Sequence, residues 1–105
     1  IPEIHMDSIK SISALEISSK KYFNSKFLDV RNISELSSGS VNNSLNIPLN
    51  QLNSKIDTLD KNNEYIIYCA GGYRSVMAAS ILKKNNFNSV INVSGGFNAI
   101  IASLS

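Results

Sequence analysis

The chain has 105 residues, enough for one domain with one core, and 43% of them are hydrophobic, a normal globular share. Ten Lys and Arg stand against eight Asp and Glu, a net charge of +2. So small an excess excludes the concentrated basic field that a nucleic-acid or membrane surface needs as main partner; a local site for a small anion stays open.

The single cysteine, Cys69, cannot close an internal disulfide, which fits a reducing compartment: the cytoplasm is expected, with the periplasm left open. One Cys and one His (His5) cannot form a zinc cage of such ligands. No apolar run nears the ~20 residues of a membrane span, and no secretory leader is visible. The first residue is Ile1 rather than Met, which points to a trimmed chain or a piece of a longer one. Residues 1–105 read as a single domain, with 1–8 as a frayed start and His5 part of that tail.

In chain order, "IKSI" (9–12) is a weak strand candidate. "SALEISSKKYF" (13–23) follows as a helix, with Ser13 and Glu16 spaced as a capping box. "KFLDV" (26–30) reads as a buried strand, and "LNIP" (45–48) as a short one stopped at Pro48. "PLNQLNSKIDTL" (48–59) puts Leu49, Leu52, Ile56 and Leu59 at helical spacing. "YIIYC" (65–69), rich in β-branched and aromatic residues, is the strongest strand. "RSVMAASILKK" (74–84) is the clearest helix: Ala-rich, with Val76, Ala79 and Leu82 near one face and Lys83 and Lys84 at its C-terminus. Asn85 and Asn86 are suited to end it in the left-handed conformation. "SVINV" (89–93) is a further strand, and Gly95-Gly96 turns into a last helix, "FNAIIASL". Strands alternating with helices predict an α/β fold: a small, mostly parallel central sheet of about five strands flanked by helices.

Reactive loops in such sheets lie at the carboxyl ends of strands, and Cys69 occupies that place on the best strand. A lone Cys after an apolar run is ordinarily a small buried hydrophobe. Here it is followed by Ala70, Gly71, Gly72, Tyr73, Arg74 and Ser75 and then a helix, which a structural cysteine does not need. A cysteine attacks as the thiolate. The helix N-terminus and the charge of Arg74 both favour that form. Gly71 and Gly72 allow the backbone to curl into a nest of amides for an anion. Ser75 can cap the helix or donate to the sulfur. Four residues separate Cys69 from Arg74, against five in cysteine phosphatases. The tighter cradle suits an extra sulfur on Cys69 better than a tetrahedral phosphate, which counts against a phosphatase or arsenate reductase.

These residues resemble the rhodanese family of sulfurtransferases over residues 9 to 104. "FLDVRNISEL" (27–36) is similar to its strand and Asp-Val-Arg turn, "GSVNNSLNIPL" (39–49) to its segment running from Gly to Asn-Ile-Pro, "YCAGGYRS" (68–75) to its Cys-x-x-Gly-x-Arg loop, and "VINVSGGF" (90–97) to its last strand and Gly-Gly turn. The chain departs from the family's common His at Ser40 and from its common Trp at Phe97, and its loop interior "AGGY" carries no charge. The resemblance implies a rhodanese-like fold and sulfur transfer. Cys69 would take a sulfane sulfur from thiosulfate or a persulfide, residues 70 to 75 would hold the Cys69 persulfide, and Arg74 would stabilise loop and anion. It implies no metal or organic cofactor. Partners would be a small sulfur-containing anion, a thiol or a persulfide, and a fused or partner sulfur-metabolism domain. A module that only carries a persulfide or docks onto a larger protein is the alternative. Asp29 and Arg31, on one strand face, read as a structural ion pair or loop brace, with Arg31 also able to reach Glu35. Tyr73 reads equally as a gate to the loop or as a surface aromatic.

Overall fold

Five short strands build the sheet in the computed structural model, which describes residues 9–18, 20–22 and 24–103. They are β1 (Lys10–Ile12), β2 (Lys26–Asp29), β3 (Leu45–Asn46), β4 (Tyr65–Tyr68) and β5 (Val90–Val93), ordered β1-β5-β4-β2-β3. Every neighbouring pair is parallel, as the alternation of strands and helices predicts. Each strand candidate is present with slightly shorter ends. The tail with His5 lies outside the described residues.

Parallel sheets are covered on both faces, so their strands run apolar without a break. Accordingly β4 and β5 are buried at every position. Side chains alternate between the faces. Ile67 and Cys69 join a core with Leu28, Val30, Leu52, Ala79 and Leu82, while Ile66 and Tyr68 join a second with Ile12, Ile91, Val93, Phe97 and Ile100. The ladder continues past β2: Val30 N–H donates to the Tyr68 carbonyl at 3.0 Å and Leu49 N–H to that of Val30 at 3.1 Å.

The helices are α1 (Leu52–Lys55), α2 (Tyr73–Lys84) and α3 (Gly96–Ser103). α2 starts one residue before Arg74 and buries Val76, Ala79 and Leu82. Of the two asparagines after it, only Asn86 is left-handed, at φ 70°. The helix expected over 48–59 is instead α1 between two 3-10 turns, Leu49–Gln51 and Ile56–Thr58. The Ser54 and Thr58 hydroxyls donate to the Gln51 and Lys55 carbonyls at 2.8 and 2.6 Å, a competition that disfavours regular helix. Leu52, Ile56 and Leu59 are buried all the same. The helix expected over 13–23 is likewise replaced by 3-10 turns at Ala14–Ser18 and Lys20–Tyr22. Ser13 there donates from its N–H and its hydroxyl to Glu16 Oε1 at 3.2 and 3.1 Å. No helix among the described residues is long and apolar enough to cross a membrane.

Candidate active site

Cys69 follows the central strand β4, which is flanked by β2 and β5. Its sulfur accepts N–H groups from Gly72 at 3.1 Å and Ser75 at 3.4 Å. The Ser75 hydroxyl oxygen lies 3.6 Å from it, placed to accept the thiol proton. The loop turns back on the sulfur because Gly72, which precedes α2, has φ 98°, a conformation that favours glycine. Gly71 has no positive φ, and a Cβ there would meet nothing within 4 Å, so its part is the N–H it offers rather than its flexibility.

A second support comes from the turn after β5. Phe97 N–H donates to the Cys69 carbonyl at 2.7 Å and Asn98 N–H to that of Ala70 at 3.0 Å. The carbonyls of the loop are thus held by the first turn of α3, while its amides face the sulfur. This approach requires Gly96, whose φ is 60°: a Cβ there would overlap the Cys69 carbonyl oxygen and stand 2.7 Å from that of Ala70.

Burial pushes the Cys69 thiol up, but the hydrogen bond with the Ser75 side chain and those from the N–H groups of Ser75, Gly72 and Gly71 outweigh it and hold the thiol below its ordinary value. Cys69 is only 1% exposed. Tyr73, by contrast, is 73% exposed, so its ring lies in solvent.

Arg74 interacts with Cys69 and is also paired with a carboxylate. Its two terminal nitrogens donate to the carboxylate of Glu35 at 2.7 and 2.8 Å. The hydrogen bond from Arg74 holds Glu35 at about 2 against the cost of its burial, with the Asn32 N–H helping. Glu35 also corrects the expectation for Arg31, which reaches only its backbone carbonyl, at 3.5 Å. The carboxylate partner of Arg31 is Asp29, through Nε at 3.0 Å and Nη2 at 2.7 Å, with both side chains buried. Arg31 Nη2 also donates to the Gly39 carbonyl at 2.7 Å, and its guanidinium lies 4.3 Å from the Phe97 ring centroid. The Asp29–Arg31 ion pair thus ties the end of β2 to Gly39 and to Phe97 of α3.

The Rhodanese-like domain family model matches residues 14–103. The chain belongs to the rhodanese-like family. Among its relatives is the candidate sulfur carrier protein YrkF of Bacillus subtilis (strain 168), 36% identical over 96 residues, covering 91% of this chain and 49% of that protein. The candidate sulfurtransferase YtwF of the same organism is 35% identical over 72 residues, 69% of each chain. The chain thus spans about half the length of YrkF and somewhat over two thirds of YtwF. A rhodanese-related protein from Thermoplasma volcanium has the same fold, with TM-score 0.82 and 35% identity over 90% of this chain and 92% of that one.

Three supports of this rhodanese-like loop escaped sequence reasoning. Glu35 lies far from Arg74 in the chain, and no local rule pairs them. Gly96 was legible as a turn but not as the seat of the loop. Asn92, the one polar residue in the buried run "VINV", did carry a signal: a polar side chain in a two-faced buried strand must find hydrogen-bond partners. Its Oδ1 accepts the Ser75 hydroxyl, and its Nδ2 donates to Ser11 Oγ at 3.2 Å. A cavity of about 440 Å³ opens elsewhere, lined by Leu15, Ile17, Val41, Phe97 and Ile101; the 69–75 loop does not line it. Among the described residues no group of three or more His, Cys, Asp or Glu could hold a metal ion.

Proposed function

We propose that the protein is a sulfurtransferase that carries a sulfane sulfur on Cys69. The observation that carries this reading is the set of donors converging on the Cys69 sulfur from Gly72 and Ser75. They favour the thiolate, which is the nucleophile. The thiolate attacks the outer sulfur of thiosulfate or of a persulfide. The donor's sulfur–sulfur bond breaks, sulfite or a thiolate leaves with the bond electrons, and a Cys69 persulfide remains. A thiophilic acceptor such as cyanide or a thiol then attacks the outer sulfur and returns the Cys69 thiolate. The amides of residues 70 to 75 hold the sulfur in both states. Because Glu35 already neutralises Arg74, the cradle relies on backbone dipoles more than on a full charge, which favours a persulfide over the dianion thiosulfate.

A second reading is a persulfide carrier or docking module within a larger assembly. It is favoured by the likeness to a candidate sulfur carrier of which this chain spans about half. Intact mass separates the two. Reduced protein is exposed to thiosulfate or glutathione persulfide, then to cyanide. Gain of one sulfur atom, its loss to cyanide and no gain in Cys69→Ser are expected. A sulfur gained but not released to cyanide or small thiols would favour the carrier. No gain from either donor would end both sulfur-carrying readings.

A further inference from the structure

Cys69, Ser75, Asn92 and Ser11 form one line of side chains across three segments: the loop and helix α2, strand β5 and edge strand β1. Ser75 and Asn92 are buried, and Ser11 is exposed. A serine hydroxyl has one hydrogen. With that hydrogen given to Asn92 Oδ1, Ser75 can only accept at its other side. This suits a thiol, whose S–H points at Ser75 Oγ. It does not suit a thiolate, which has no hydrogen to give and needs a donor. If Ser75 simply turned its hydrogen to the sulfur, Asn92 Oδ1 would be left buried without a donor, which is costly. An amide can resolve this conflict, because exchanging its oxygen and nitrogen leaves its shape almost unchanged.

We propose that Asn92 is a positioning residue whose side-chain amide reverses when Cys69 ionises, turning the Ser75 hydroxyl hydrogen from Asn92 to the sulfur. In the thiol state S–H donates to Ser75, Ser75 to Asn92 Oδ1 and Asn92 Nδ2 to Ser11. In the thiolate state every direction is inverted: Ser11 donates to Oδ1, Nδ2 to Ser75 Oγ, and Ser75 to the sulfur. The thiol proton leaves to water, and no electrons are transferred. Ser11 can serve both states because its exposed hydroxyl exchanges roles with solvent.

Other charges reach the sulfur from defined places. Arg74 of α2 acts on it both electrostatically and as a side-chain hydrogen-bond donor, while bonded to Glu35 of the 33–38 turn. The Asp29–Arg31 pair sits at the end of β2, beside β4. Strand β5 and helix α3 carry no titratable side chain, and Lys10 of β1 is exposed and acts on Glu64. Among the neighbours of the sulfur, Ser75 is the one whose hydroxyl also bonds Asn92.

The inference rests on Cys69 ionising in use, as the sulfur-transfer reading requires, but its test needs no sulfur donor. In ¹⁵N-labelled protein the Asn92 side-chain amide signals, assigned by their loss in Asn92→Leu, are followed against pH beside the thiolate ultraviolet absorbance. Both are expected to share one midpoint, with the Asn92 transition absent in Ser75→Ala. Amide signals that stay flat while Cys69 titrates, or that still move in Ser75→Ala, would overturn the proposal. Asn92→Asp, which only accepts when ionised, is expected to lower alkylation of Cys69 at neutral pH by about tenfold, one unit of thiol pKa. In the Ser75→Ala background its effect should be smaller, since only its charge remains; equal effects in the two backgrounds would overturn the relay. Coupled titration in a protein that takes up no sulfur would refute the function and keep the relay.

Discussion

Replacing Gly96 by Ala should damage the Cys69 loop from the far side of a turn. The new Cβ would overlap the Cys69 carbonyl oxygen and press on that of Ala70 at 2.7 Å, with backbone on both sides and no flexible side chain to yield. The position also has φ 60°, where a side chain costs ~1–2 kcal/mol. Relieving the overlap means parting α3 from the loop, which breaks the bonds from Phe97 and Asn98 N–H, worth ~1 kcal/mol each. Together these come to about 3–4 kcal/mol, a large part of the ~5–15 kcal/mol that holds a small domain together. Gly71→Ala is the matched control, since its Cβ meets nothing within 4 Å and its φ is ordinary. It should stay within ~0.5 kcal/mol. Urea unfolding measures both, and iodoacetamide alkylation at neutral pH reads the loop. Gly96→Ala should alkylate about tenfold more slowly as the amides lose their aim, a one-unit rise in thiol pKa. A Gly96→Ala protein as stable and as reactive as the parent, or an equal loss in Gly71→Ala, would refute the idea that α3 seats the loop.

Glu35→Gln should free Arg74 and tighten binding of thiosulfate or sulfite, seen as a lower KM or Kd for the anion. It should also flatten acid unfolding. Glu35 is depressed from 4.5 to about 2, so its contribution is present above 4.5 and lost as pH falls towards 2. With its side chain 31% exposed, solvent screening limits that contribution to about 1 kcal/mol. Asp29→Ala leaves the Arg31 guanidinium buried without its carboxylate and should cost ~3–5 kcal/mol in urea unfolding; a loss under ~1 kcal/mol, the range of surface pairs, would show that the Gly39 carbonyl and Phe97 ring suffice to hold it.

The strands were legible because burial on both faces leaves unbroken apolar runs, such as Tyr65–Tyr68, between turn residues. The helices were less so. Over 48–59 the spacing of Leu52, Ile56 and Leu59 reported the buried face correctly but could not report that hydroxyls would divide the helix into 3-10 and α turns. In the loop, the order Cys, Gly, Gly, Arg, Ser marked the candidate site, yet Ser75 and Gly71 sit in it differently from what their types suggest. Ser75 neither caps the helix nor stands alone, and Gly71 does not need to be glycine for its φ. The pairing of charges was the least legible. A local rule offers Glu35 to Arg31, one turn away, but buried Asp29 takes that guanidinium, and Glu35 is left for Arg74. Pairings between distant segments depend on the finished fold.

The hydrogen bonds from Phe97 and Asn98 also give the site a history. The cysteine and its loop precede β5 and α3 in the chain, so during synthesis the thiol emerges before Asn92, Gly96 and the two amides that seat it. Until α3 has docked, the Cys69 and Ala70 carbonyls lack the two amides that hold them. The last elements to be made are therefore the ones that fix the loop in place.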